Sequence, residues 1–229
     1  MWMDWTYLLI LPGLLLAIWA SSLVRSTYAR YAKVPARAGV TAAEAAEKML
    51  REGGAYGVRV ERTRGELTEH YDPRDQVLRL SEGVYDSTSV AALGIAAHEA
   101  GHALQHQDEY APLWLRTAIV PVVSITSNLA TPLFLLGFVF SWQPLIYIGI
   151  LCFAAAVAFS LITLPVEFNA SRRAVLALES GGYLTAEENE GARKVLRAAS
   201  MTYVASALTA ILQLARLLLL SRGSNRRRN

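Results

Sequence analysis

A single cysteine, Cys152, among 229 residues leaves no disulfide framework and no thiolate zinc cluster to hold the chain together. Charge is scarce too: Asp, Glu, Lys and Arg make up 18% of the residues, where soluble domains average about 25%. There is no internal repeat, and the basic tail is the only low-complexity segment, so solenoid and propeller architectures are excluded. The net charge of +3 is small. Its basic residues cluster beside apolar runs and at the tail, which marks them as membrane-topology signals and not as nucleic-acid contacts. With four histidines in all, a metal site has few donors to draw on.

Apolar residues, by contrast, are abundant at 53% and clumped. Uncharged runs extend over Tyr7 to Val24, Ala118 to Trp142 and Leu145 to Val166, and a fourth from about Ala198 to Leu220 contains Arg216. Each is of membrane-spanning length. A cleaved signal peptide fits the first run less well, because no Lys or Arg precedes it and no small-x-small site ends it. Gln143-Pro144 separates the second and third runs by only a turn, so they read as a transmembrane hairpin. Along the second, Ser124, Asn128 and Thr131 recur at helical spacing, as helix–helix glue does, and Pro121 and Pro132 introduce kinks. Arg25, Arg30, Lys33 and Arg37 follow the first run while Asp4 precedes it, which places residue 25 onward in the cytoplasm of a multi-pass cell-membrane protein. Arg172 and Arg173 mark the same face after the hairpin. The basic tail Arg222, Arg226, Arg227 and Arg228 conflicts with this if the last run spans. Its stripe of Thr202, Ser206, Thr209, Gln213 and Arg216 allows a shallower, interfacial placement, the opposite resolution being a fully inverted protein with its site outside.

The remaining chain is one small globular part. Thr41-Ala-Ala-Glu44 is a capping box that opens a helix running to Glu52 and stopping at Gly53-Gly54. Val58 to Arg62 and Gln76 to Leu80 alternate as half-buried strands, with turn chemistry at Tyr71 to Asp75. Such a sheet either buttresses the next helix or offers an edge to an extended peptide. Asp86, Ser87 and Thr88 are N-cap residues for that helix, and Thr185-Ala-Glu-Glu188 is a second capping box. The expected fold class is a mainly α membrane protein, a helical transmembrane bundle with a small α+β zinc-metallopeptidase domain. Its parts are an N-terminal transmembrane helix (1–24), the α+β part (25–112), the hairpin (113–166), and a closing segment with the apolar helix and basic tail (167–229).

His98-Glu99-Ala100-Gly101-His102 lies on the central helix. Residues four apart share a helix face, so both imidazoles reach one ion, and Glu99 stands close enough to polarise a water on it. A catalytic zinc takes three protein ligands and leaves one position open. His106 is two turns from His98, about 12 Å along a straight helix. Asp108 would need the helix to break after His102, and no glycine is there to turn it. Glu167, at the mouth of the hairpin, is the better third ligand.

The stretches HEAGHALQH, HYDPRDQVLRLSEGVYDSTSVAALGIAA and LPVEFNASRRA together resemble the bacterial neutral zinc metallopeptidases of the YugP type. More loosely, the chain is similar to membrane gluzincins of the HtpX and CAAX prenyl protease class, in which a glutamate ligand follows the hairpin in an E-x-x-A-D pattern. The resemblance implies one Zn2+ per chain, held by His98, His102 and Glu167, with Glu99 as general base. Ser171 stands where the broader class has Asp, so Asn169, Ser171 or a backbone carbonyl would have to orient a zinc-bound histidine. The implied activity is peptide hydrolysis; the resemblance carries over no substrate, and the expected partners are a peptide or protein substrate, membrane proteins among them, and the lipid bilayer. Arg172, Arg173, Tyr203 and His70 are candidates for stabilising the oxyanion. Two other readings exist. A zinc-stabilised membrane scaffold would close the fourth position with His106 or His70. An intramembrane site-2-type protease would need a spanning helix at Val90 to Ala97, which is only half the required length.

Overall fold

The computed structural model describes residues 5–226. The chain forms two compact units. Ser21–Trp114 and Pro165–Met201 make one; the other draws on Leu115–Leu164, Thr202 onward and the residues up to Ala20.

In the first unit, α2 (Ala42–Glu52) begins as its sequence dictates. The Thr41 hydroxyl accepts the Glu44 N–H while the Glu44 carboxylate accepts the Thr41 N–H, closing the capping box. Strands β1 (Arg59–Thr63), β2 (His70–Asp72) and β3 (Val77–Ser81) form a sheet of order β1-β3-β2. β1 runs parallel to β3 with Arg59 opposite Val77, and β2 runs antiparallel with Asp72 opposite Val77. The turn expected at residues 71–75 is therefore narrower. Tyr71 and Asp72 belong to a strand, and the reversal follows them, with the Asp72 carboxylate accepting the Arg74 N–H at 2.9 Å and Gln76 in the left-handed region at φ 51°. β3 lies between two neighbours, so Val77, Leu78, Leu80 and Ser81 are all buried instead of alternating.

A short α3 (Glu82–Tyr85) precedes α4 (Val90–Gln107). Ser89 caps α4 by accepting the Ala92 N–H at 3.2 Å, so the N-cap is one residue past the expected Asp86-Ser87-Thr88. α4 is the core of this unit. Its Ala92, Leu93, Ala96, Ala97, Ala100 and Ala103 are buried with Ala42, Ala46 and Leu50 of α2, Leu78 and Leu80 of β3, and the aliphatic residues that follow Pro165. Burying each such leucine is worth roughly 1.5–3 kcal/mol. The alanines are small enough to let helices approach closely, and α4 is not one of the apolar membrane-length helices.

Those helices number three among the described residues: α5 (Ala111–Val139), α6 (Gln143–Ser180) and the apolar part of α7 (Ala186–Arg226). The first apolar run, expected to form a fourth span, is divided. Trp5–Leu9 is a 3-10 turn and α1 (Leu11–Tyr31) starts beyond it. Pro12 accounts for the division, because it has no N–H to offer the carbonyl four residues back. α5 and α6 make the expected hairpin. At Gly149 a Cβ would stand 2.7 Å from the Phe134 nitrogen, so only glycine allows the two backbones this approach. Ser124, Asn128 and Thr131 face outward, and Asn128 donates to its own helix at the Ser124 carbonyl, 2.9 Å away. In the same unit Arg216 donates to the Thr6 hydroxyl at 3.0 Å and lies 3.8 Å over the Tyr7 ring, so the polar stripe of α7 packs on the N-terminal segment. Asp4, the Arg222 and Arg226 side chains, Arg227 and Arg228, which carried the topology reading, lie outside the described residues.

Candidate metal centre

α6 is one continuous helix through Pro165. Glu167 therefore sits in mid-helix, not at a helix end, and in the same unit as α4. Its carboxylate is 1% exposed. Oε2 is 3.2 Å from His98 Nε2 and 3.7 Å from His102 Nε2. The two rings are edge to face, their centroids 4.7 Å apart. One ligand atom from each of the three residues lies within 4.8 Å of the others. Two ligand atoms on a tetrahedral zinc, each about 2.0–2.1 Å from it, stand about 3.3–3.4 Å apart. The two separations from Glu167 bracket that value. Two nitrogens and one carboxylate oxygen also match the donor set zinc prefers at a catalytic site. Among the described residues, this is the cluster that can hold a metal ion.

Backbone packing brings the three residues together. A Cβ on Gly101 would stand 2.7 Å from the Ala170 carbonyl oxygen, so α4 and α6 touch at the very turn that carries the ligands. Ala170, one turn after Glu167, is fully buried in the same contact.

Behind the ligands lies a hydrogen-bonded layer. Ser171 Oγ is 3.1 Å from His98 Nδ1, in the place where the broader pattern has Asp. Gln105 Oε1 is 3.0 Å from His102 Nδ1. The Gln105 amide donates to the Val166 carbonyl at 2.8 Å and to Asn169 Oδ1 at 2.9 Å. Asn169 in turn accepts from Arg173 Nε at 2.9 Å, and Arg173 pairs with Asp108 at 2.5 Å. Burial acts to lower the His102 pKa, but the hydrogen bond the imidazolium donates to the Glu167 carboxylate and the charge of Glu99 outweigh it, and the group is held above its ordinary value.

The remaining candidates are dispersed. His70 is exposed on β2, its Nδ1 on the Thr68 carbonyl at 2.8 Å and its Nε2 facing Arg79 at 3.5 Å. His106 meets the Tyr71 hydroxyl at 2.9 Å, and α4 continues past it to Gln107, so Asp108 is a helix cap and not a ligand. Glu99 is half-buried beside the ligands, Arg172 is exposed, and Tyr203 is half-buried on α7 in the other unit. Gln105 is the residue that sequence reading passed over. The available signal was a polar side chain one turn after His102 on the same helix face.

Comparison with known proteins agrees with this geometry. The family model described as "Putative neutral zinc metallopeptidase" matches residues 6–222. The chain belongs to this family. It is similar to "Putative membrane protease YugP" of Bacillus subtilis (strain 168), with 48% identity over 212 residues that cover 93% of this chain and 94% of the relative. No solved structure matches the chain. Family membership and the three converging side chains thus point to the same metal.

Proposed function

We propose that the protein is a membrane-embedded zinc endopeptidase. The observation that carries this reading is the convergence of His98, His102 and Glu167 on one point, with Glu99 in the turn between the two histidines. Zinc bound there supplies Lewis acidity and lowers the pKa of a water to about 7. With the metal in place, Glu99 would serve as the general base, taking a proton from the attacking water and returning it to the leaving amine. Ser171 and Gln105 hold the two imidazoles with their Nε2 atoms toward the ion, while Gly101 and Ala170 set the spacing of the helices. β1 pairs on one side with β3, which leaves its other edge for an extended peptide to add as a strand. α5, α6 and α7 support membrane embedding, and the basic residues after the first apolar run support a cytoplasmic site.

The test uses the full chain purified in detergent. It should carry about one zinc per chain and cleave an unfolded protein such as casein. Glu99→Gln should retain the zinc and lose at least about a hundredfold in hydrolysis, the low end for removing a general base. Zinc retention without any hydrolysis by the unaltered protein would instead favour a scaffold.

A further inference from the structure

We infer that Gln105 is a positioning residue that fixes the tautomer of His102, and that Arg173 enforces this from behind through Asn169. The inference rests on reading His98, His102 and Glu167 as metal ligands.

The logic is one of donors and acceptors. Arg173 can only donate, so the Asn169 atom 2.9 Å from its Nε is the carbonyl oxygen. The Val166 backbone carbonyl can only accept. Gln105 therefore faces two acceptors, 2.8 and 2.9 Å away, and its amide nitrogen must lie between them. This leaves Oε1 directed at His102 Nδ1, at 3.0 Å. An oxygen at that distance requires a proton on Nδ1, which leaves the Nε2 lone pair on the side of Glu167. Were the Gln105 amide reversed, it would press its carbonyl against two other oxygens, and its NH2 would call for an unprotonated Nδ1. The proton would then sit on Nε2, where it blocks metal binding.

Burial makes this arrangement costly to break. Gln105 is 0% exposed, so water cannot replace a lost partner. The links alternate between helices. His102, Gln105 and Asp108 follow one another at three-residue spacing on α4 and its cap, and Asn169 and Arg173 lie one turn apart on α6. Closed by the Asp108–Arg173 ion pair, the same bonds that orient the imidazole also clamp α4 to α6 beside Glu167. His98 has a simpler arrangement. Its Ser171 hydroxyl can rotate to donate or accept and so imposes no tautomer by itself.

The experiment compares the full-length protein with Gln105→Leu and Gln105→Glu, all in detergent. Zn2+ affinity is measured by competition with a chromophoric chelator. The His102 tautomer is read from imidazole 15N shifts of the metal-free protein at alkaline pH. Gln105→Leu removes the acceptor, and should bind Zn2+ about 10–100-fold more weakly with His102 shifted toward the Nε2–H form. Gln105→Glu keeps the acceptor while losing both donors, so it should hold Nδ1–H and bind Zn2+ more tightly than Gln105→Leu. If Gln105 were merely a strut between helices, the order of the two variants would reverse, because Glu would repel two oxygens. That reversal, unchanged zinc affinity in Gln105→Leu, or an unchanged His102 tautomer there would overturn the inference. Should Gln105→Leu not fold, an Nε2–H signal for His102 in Gln105→Glu would overturn it equally. Failure of the unaltered protein to bind Zn2+ would overturn the metal reading itself.

Discussion

Gly101 lies against the Ala170 carbonyl, which would stand 2.7 Å from a Cβ at that position. The glycine between His98 and His102 is thus a packing requirement between α4 and α6. Gly101→Ala must push one backbone away from the other, and overpacking of this kind typically costs 1–3 kcal/mol, or about 1–3 kcal/mol here. Because Glu167 is on the displaced helix, zinc affinity should fall further than the thermal midpoint alone implies. Chelator competition alongside thermal unfolding checks this; equal affinity in the variant would refute it.

Glu167→Gln keeps the volume of the buried side chain proposed as the third ligand and removes its charge. The buried carboxylate is the sole anionic member of the metal cluster, so zinc retention after gel filtration should drop from about one per chain to near zero. Elemental analysis of the eluted protein decides the matter.

Ser171→Ala removes the hydroxyl 3.1 Å from His98 Nδ1. Loss of an outer partner of this kind costs about 10–100-fold in metal affinity. Ser171→Asp restores an anionic acceptor at the same place and should bind zinc at least as tightly as the unaltered protein. If both variants matched it, His98 would be oriented by packing alone.

Thr41→Ala tests the capping box far from the metal. Loss of the hydroxyl should cost about 1 kcal/mol of stability. The Glu44 pKa is lowered by the backbone and then the side-chain hydrogen bond of Thr41. A depressed carboxylate pKa stabilises the fold above the unfolded value, and that contribution is lost as pH falls through the folded one. The gap in thermal midpoint between variant and unaltered protein should therefore be full near neutral pH and narrow below the ordinary value of 4.5. Alanine keeps the backbone N–H that Glu44 accepts, so the narrowing reads only the hydroxyl's share, and a gap independent of pH would show that the Thr41 hydroxyl does not act on Glu44.

Leu93 is fully buried in the core around α4. Leu93→Ala should destabilise by about 2–5 kcal/mol, set by how far the neighbouring alanines can close the cavity. Urea unfolding followed by tryptophan fluorescence measures it.

Local rules alone determined a good deal of this protein. The capping boxes at Thr41 and Thr185, the hairpin break before Gln143 and the His98–His102 spacing depend on residues within one or two turns, where side-chain chemistry and helical period suffice. Glu167 was legible because a hairpin returns the chain to where it left. Other features depended on neighbours distant in sequence. β2 exists because His70 to Asp72 pair with a central β3, although their composition reads as a turn. The first helix starts at Leu11, next to Pro12, and runs on to Tyr31, and the run's hydropathy gives no hint of either bound. Gln105, a residue that looks unremarkable in the sequence, acquires its role from Val166, Asn169 and Arg173, more than sixty residues away in the sequence. The sequence by itself determined which side chains can ligate a metal. Only the tertiary structure decided how they are aimed, because aim depends on which acceptors a second helix places behind them.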